Sequence, residues 1–262
     1  MDLKIIYFKC LQILYIVISI LILTACQSAP TDRSLADSAA SPALMPPAPI
    51  PALVTDEQPD DVWERIRLGL NWQEIDHARV DKERERLLRQ HNYVPAAQDR
   101  ADYYLHHIVE EVDKRDMPME ITLLPMIESN LDPFAASHAG AAGLWQIMPR
   151  TGKHLGLAQD SWYDGRQAVR DSTTGALDYL EKLHTRFDND WLLALAAYNC
   201  GASNVSRAQR SNKAKGLDTD YWSLDLPSET LNYVPKLLAL AQIVADPQKF
   251  NVTIPAVNNS PS

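Results

Sequence analysis

A chain of 262 residues with 46% hydrophobic content has room for one or two domains and a real core. Its 25 basic and 34 acidic residues leave a formal charge of −9, and with no basic stripe this argues against a nucleic-acid binder. The three cysteines (Cys10, Cys26, Cys200) give neither a disulfide framework nor a zinc spacing, and the seven scattered histidines include no HExxH helix, so no metal or other cofactor is expected.

The N-terminus reads as a secretion signal. Lys4 and Lys9 precede the apolar run "LQILYIVISILILTA", which ends in Leu23-Thr24-Ala25-Cys26. Small residues before a cysteine resemble a bacterial lipobox, which implies cleavage before Cys26 and lipidation of its thiol. An uncleaved anchor is the alternative, the run being slightly short of the ~20 residues of a spanning helix. Either way the body is expected outside the cytoplasm, in the periplasm on a membrane. Gln27 after the cysteine favours the outer membrane. Loss of residues 1–25 takes the formal charge to −10. Residues 26–58 then form a tether: Pro30, Pro42, Pro46, Pro47, Pro49 and Pro51 fall here among Ala, Ser and Asp, with few bulky apolar residues.

From Asp60 onward the pattern is helical almost throughout. "DVWERIRLGL" spaces Val62, Ile66 and Leu70 at i, i+4, i+8, and "RADYYLHHIVEEVDKRDMP" places Tyr104, Ile108 and Val112 on one stripe that stops by Pro118. "DSTTGALDYLEKLHTRF" carries Ala176, Leu180, Leu183 and Phe187, with its Ser and Thr residues available as N-caps. "WLLALAAYN" and "ETLNYVPKLLALAQIVAD" complete the set, and "NKAKGLDTDYWSLDLP" has room for a short hairpin. The expected divisions are a helical region over 59–116, a core domain over 117–250 and a tail over 251–262.

The segment "MEITLLPMIESN" predicts a helix starting at Pro118, kinked at Pro125, apolar all round and ending just beyond Glu128 because of Pro133. Burial and the negative end of the helix dipole then both raise the pKa of Glu128. A carboxylic acid still protonated near neutral pH is what cleavage at a glycosidic oxygen needs. On the helix alone, a glutamate paired with an arginine or capping a neighbour remains the simpler reading. The loop that follows, "HAGAAGLWQIMPRTG", shifts the balance: small residues admit a ligand close to the backbone, and Trp145, Gln146 and Met148 offer apolar surface with an amide. Taken singly, Trp145 and Met148 would more often be core residues.

Four motifs in order make a resemblance specific. Glu128-Ser129, Ser137 and Gly143-Leu144-Trp145-Gln146-Ile147-Met148-Pro149, then "ALAAYNCG" and "ETLNYVPKLLAL", resemble the catalytic domain of the soluble lytic transglycosylases from about Asp60 to Phe250. The resemblance implies a mainly α, lysozyme-like domain related to goose-type lysozyme, with an N-terminal helical extension. It implies Glu128 as catalytic acid/base. Ser137, Gln146, Met148, Tyr198 and Asn199 would line the saccharide cleft, and Glu229 and Tyr233 would close it near the acid. Ser129 would fix the local backbone. Cys200 stands where the family tolerates small residues, so it reads as packing and not as a nucleophile. Members of one branch carry C-terminal LysM modules; this sequence ends without them, and wall retention is then expected to rest on the lipid.

Most glycosidases use two carboxylates. Asp132 is the nearest candidate, but Pro133 biases it off the helix and into a loop. The resemblance removes the need for it, because peptidoglycan glycan strands, the implied partner, supply their own nucleophile. The expected function is a lyase that leaves 1,6-anhydromuramyl ends, acting as a monomer. The alternatives are a goose-lysozyme-like muramidase and a non-catalytic peptidoglycan-binding lipoprotein.

Overall fold

In a computed structural model the described residues are 58–90, 93 and 97–261. The signal segment, Cys26 and the tether as far as residue 57 lie outside them. The expected mainly α class is what the chain forms: nine α-helices, three 3-10 turns, four isolated bridges and no strand among the described residues. No described helix is long and apolar enough to cross a membrane.

Three helices come first. Helix α1 (Val62–Gly69) starts on Asp61, whose carboxylate accepts from the Trp63 N–H at 3.1 Å. Helix α2 (Ala78–Arg89) is capped by the His77 ring, which accepts from the Arg79 N–H at 3.1 Å. Helix α3 (Gln98–Asp113) buries Ile108 and Val112 of the predicted stripe and stops five residues short of Pro118. These helices join the same core as the rest: α2 lies along the last long helix, and α3 packs on the chain around Ile121 and on the helix after residue 168. Arg65, buried in α1, is held by Glu110 and by Asp113 at 2.7 Å on α3.

Between Pro118 and Ser129 the chain forms not one kinked helix but two pieces: a 3-10 turn, Met119–Leu123, and then α4 (Leu124–Ser129). Pro125 falls in the first turn of α4, where its missing N–H has no partner to lose; it marks the junction and does not kink a continuous helix. The end of α4 is set by Asn130 and Leu131, both at positive φ (54° and 59°). Their N–H groups turn back to Met126 O at 3.1 Å and Pro125 O at 3.0 Å, so the left-handed exit ends the helix before Pro133 is reached.

Helix α5 (Pro149–His154) is short, and α6 (Val169–Arg186) buries Ala176, Leu180 and Leu183, with Phe187 buried just past its end. The Ser and Thr residues expected to cap α6 do not: its N-cap is Ala168, and Ser172 and Thr173 are buried inside the helix. Thr173 Oγ1 accepts from Trp145 Nε1 at 3.0 Å, so tertiary packing claimed a hydroxyl that local rules assigned to a cap. Helices α7 (Trp191–Cys200) and α8 (Ala202–Ala214) follow, and in place of a hairpin the chain makes a 3-10 turn at Tyr221–Ser223. Helix α9 (Ser228–Ala245) is the spine: it packs on α2, α7, α4 and α1 and buries eleven of its eighteen residues. The tail returns to the start of the body, where Val62 N donates to Val257 O at 2.8 Å and Val257 N to Asp61 at 3.0 Å.

Candidate active site

A cleft of about 860 Å³ opens between the end of α4, the 137–155 segment, α7 and one face of α9, with α2 at its edge. All eight residues expected to bind or cleave a saccharide line it, although they come from four stretches spread over a hundred positions.

Glu128 stands in the last turn of α4, half-buried, where the chain turns away. Its Oε1 accepts from the Tyr233 hydroxyl at 2.6 Å, its one hydrogen bond among the described residues. Burial pushes its pKa up to about 7; the Tyr233 bond and the Lys236 charge pull the other way, and Glu229 adds to the rise. The carbonyls around it are pinned from outside the helix. Tyr93 OH donates to Met126 O at 2.9 Å and Lys236 Nζ to Ile127 O at 3.2 Å, while Ser129 Oγ, within the helix, donates outward to Leu144 O at 2.9 Å.

One wall is the 135–148 loop, folded on itself by the bridges Ala136 to Ala142 and Ala142 to Ile147. Gly143 is required there: at φ 81° a Cβ would sit 1.9 Å from the Arg166 carbonyl oxygen. Ser137 is exposed, and its Oγ accepts from Ala141 N at 2.9 Å. Gln146 adopts φ 46° and donates through Nε2 to Gly143 O at 2.9 Å and Ala135 O at 3.2 Å, which leaves its amide oxygen free of protein partners among the described residues. Met148 is 43% exposed and gives the wall its apolar surface. Trp145 points the other way and is fully buried in the core.

The other wall is α7 and α9. Tyr198 OH donates to Trp145 O at 2.8 Å, tying α7 to the loop, and burial beside Glu128 holds its phenol well above the usual range. Asn199 Oδ1 accepts from Thr230 Oγ1 at 2.7 Å, and its Nδ2 donates to Glu229 Oε1 at 3.4 Å. Glu229, Tyr233 and Lys236 share one stripe of α9 at i, i+4, i+7. Cys200 lines the cleft half-buried; burial pushes its thiol pKa up, away from nucleophilic use.

Asp132 stays outside the cleft. Its carboxylate accepts from Phe134 N at 2.9 Å, forming its own turn, and lies 3.8 Å from Arg100. Sequence reasoning missed Tyr93, Lys236, Thr230 and Arg86. The signal for Lys236 was present, since "ETLNYVPK" puts it on the stripe of Glu229 and Tyr233. Tyr93 and Arg86 belong to the 59–116 region, where no local pattern points at a cleft.

Similarity to known proteins follows this geometry. Residues 107–220 match the Transglycosylase SLT domain. The chain is 44% identical over 207 residues to membrane-bound lytic murein transglycosylase D of Escherichia coli K12, covering 79% of this chain and 46% of that protein. It therefore spans about half the length of that relative. It is 41% identical over 165 residues to a putative tributyltin chloride resistance protein of Alteromonas, covering 62% of this chain and 77% of that one. Among solved structures, an inactive mutant of lytic transglycosylase Slt from Pseudomonas aeruginosa aligns with a TM-score of 0.41 at 26% identity, over 58% of this chain and 25% of that one. The chain belongs to the lytic transglycosylase family that carries the SLT domain.

Proposed function

We propose that the chain is a peptidoglycan lytic transglycosylase in which Glu128 is the single acid/base. The observation that carries this reading is the carboxyl of Glu128, with a pKa near 7, at a saccharide-sized cleft while Asp132 is tied up outside it. A group that titrates there can give a proton and take one back within a single turnover at neutral pH.

The protonated Glu128 gives its proton to the oxygen of the β-1,4 bond between N-acetylmuramic acid and N-acetylglucosamine. The bond to the anomeric carbon breaks, and the muramyl N-acetyl carbonyl stabilises the cation left there. The ionised Glu128 then takes the proton of the muramyl 6-hydroxyl, whose oxygen closes on the anomeric carbon. The products are a free N-acetylglucosamine 4-hydroxyl and a 1,6-anhydromuramyl end; water is neither consumed nor needed. Tyr233 orients Oε1, leaving Oε2 to face the bond. Ser137, Gln146, Met148, Tyr198 and Asn199 bind sugar, with amide and hydroxyl groups for N-acetyl and hydroxyl partners and Met148 for the apolar ring face. Glu229 closes the cleft and holds Asn199.

The divisions we assign are a signal over 1–25, lipidated Cys26 with a tether to 58, a helical region over 59–116, the catalytic domain over 117–250 and a tail over 251–262. The protein would then act as a monomer in the periplasm, held to a membrane by the lipid on Cys26, with Gln27 favouring the outer membrane.

Digestion of purified sacculi followed by mass spectrometry tests the reading. Anhydromuramyl ends are expected. Hydrated reducing ends as the main product would make the enzyme a muramidase, and binding without release would make it a wall-binding protein.

A further inference from the structure

The two walls of the cleft differ in charge. On the loop side, Ser137, Ala139, Ala141, Met148, Thr151 and Leu155 carry none, and His138 is the one titratable side chain. On the other side α2 and α9 bring two cations to the same edge: Arg86 and Lys236 both line the cleft. The same side carries three carboxylates, Glu83, Glu128 and Glu229, but Glu128 accepts from Tyr233 and Glu229 from Asn199, and neither forms an ion pair with Arg86 or Lys236 among the described residues. Glu83, 2% exposed, pairs with Arg86 at 3.4 Å and is the one acid of α2 at this edge. The remaining guanidinium N–H groups of Arg86 have no partner among the described residues. Lys236 gives one N–H to Ile127 O and lies 5.3 Å above the Tyr93 ring, which leaves two donors for the cleft. Lys236 is partly desolvated, and after burial the charge of Arg86 is what most disfavours its own, with Glu128 and Glu83 opposing. Two like charges on one edge of a binding cleft, each with donors left over, favour an anion there.

We propose that Arg86 and Lys236 form a seat for a carboxylate carried by the saccharide, so that the enzyme selects acidic glycan strands over neutral ones. The proposal rests on the cleft being the peptidoglycan site described above. Two sources supply the same chemistry: the lactyl carboxylate of a muramyl residue without peptide, and the free carboxylates of a stem peptide. The Ile127 carbonyl and the Tyr93 ring fix Lys236, so that donor is preorganised, while Arg86, 3.4 Å from Glu83 behind it, reaches out from the edge.

The test uses the full chain and three substrates: peptide-free strands, the same strands with lactyl carboxylates converted to methylamides, and peptide-bearing strands. Anhydromuramyl release gives kcat and KM. A seat for the lactyl group predicts that wild type prefers peptide-free strands to their amides. A seat for the peptide predicts equal use of those two and a preference for peptide-bearing strands. In either case Arg86→Gln lowers that preference about three- to tenfold through KM, and Arg86→Lys restores part of it. Arg86 is 59% exposed on its side chain, so the fold tolerates the change. Arg89→Gln on the same helix, outside the cleft and 69% exposed, leaves the preference unchanged. Equal effects of Arg86→Gln on all three substrates, or none on any, overturn the seat. Should wild type release no anhydro product, the catalytic reading fails by itself. Co-sedimentation of Glu128→Gln, with and without Arg86→Gln, on the same three strands then decides the seat separately.

Discussion

Two acids eight residues apart in one apolar segment meet different fates. Glu120, in the 3-10 turn, is fully buried; its Oε1 accepts from the N–H groups of Asn71 and Trp72, each at 2.6 Å. Its Oε2 is buried without a partner among the described residues. Glu128, one short helix later, accepts a single hydroxyl and opens on the cleft. Burial raises the pKa of both. Desolvation therefore marks neither as catalytic by itself; access to a ligand separates them. Glu120 is a strut between the turn and the loop after α1, whereas Glu128 is free to exchange its proton.

The largest expected effect tests that separation at Glu128. Glu128→Gln should lower anhydromuramyl release by about 10²–10⁴-fold while the protein stays folded. It should also stabilise. A carboxyl whose pKa rises from 4.5 to about 7 on folding binds more protons folded than unfolded, so stability falls as pH climbs through that window. The Gln variant escapes this penalty, by at most about 3 kcal/mol above pH 7 and by little below pH 4.5. Urea midpoints at pH 5 and pH 8 measure it; an equal difference at both pH values refutes the coupling.

Glu120→Ala comes next and should behave oppositely. It removes the shared acceptor of the Asn71 and Trp72 N–H groups, which are only partly buried, costing about 1–3 kcal/mol in chemical denaturation, with activity per folded molecule retained. Unchanged stability would mean Glu120 is no strut.

The pH profile gives a smaller effect with a defined sign. In the proposed mechanism the first step uses protonated Glu128, so kcat/KM should fall as pH rises through about 7. Tyr233→Phe removes a bond that favours the carboxylate and should move this limb to higher pH. Glu229→Gln removes a charge that disfavours it and should move the limb to lower pH. Shifts of the same sign in both variants would contradict this electrostatic account.

The smallest effect concerns Asp132. Its pair with Arg100 is half-exposed, so Asp132→Asn should cost less than about 1 kcal/mol and leave the anhydro product intact. Loss of catalysis there would revive a two-carboxylate mechanism.

Much of the site was legible because its motifs are local. The acid closing an apolar run, the small-residue loop after it, the Tyr198-Asn199 pair and the Glu229-Tyr233 spacing each lie within a turn or two of chain. Illegible parts depended on distant chain. Pro125 predicted a kink only so long as the helix was assumed continuous, and the 3-10 turn before it made Pro125 a helix start. Thr173 looked like a cap until Trp145 claimed its hydroxyl from 28 positions away. Arg86 sits on a charged helix whose pattern indicates solvent, and only contact of α2 with α9 brings it to the cleft.

The sequence by itself determined the helical class, the order of the motifs and the identity of the acid at the end of its apolar run, because period and spacing are properties of neighbouring residues. Which carboxyl is walled in and which faces the cleft, what closes the carbonyls of α4, and which cations line the cleft were decided by the tertiary structure. Desolvation and charge act through space, and the groups that impose them on Glu128 (Tyr233, Lys236 and Glu229) arrive from a helix a hundred residues further along the chain.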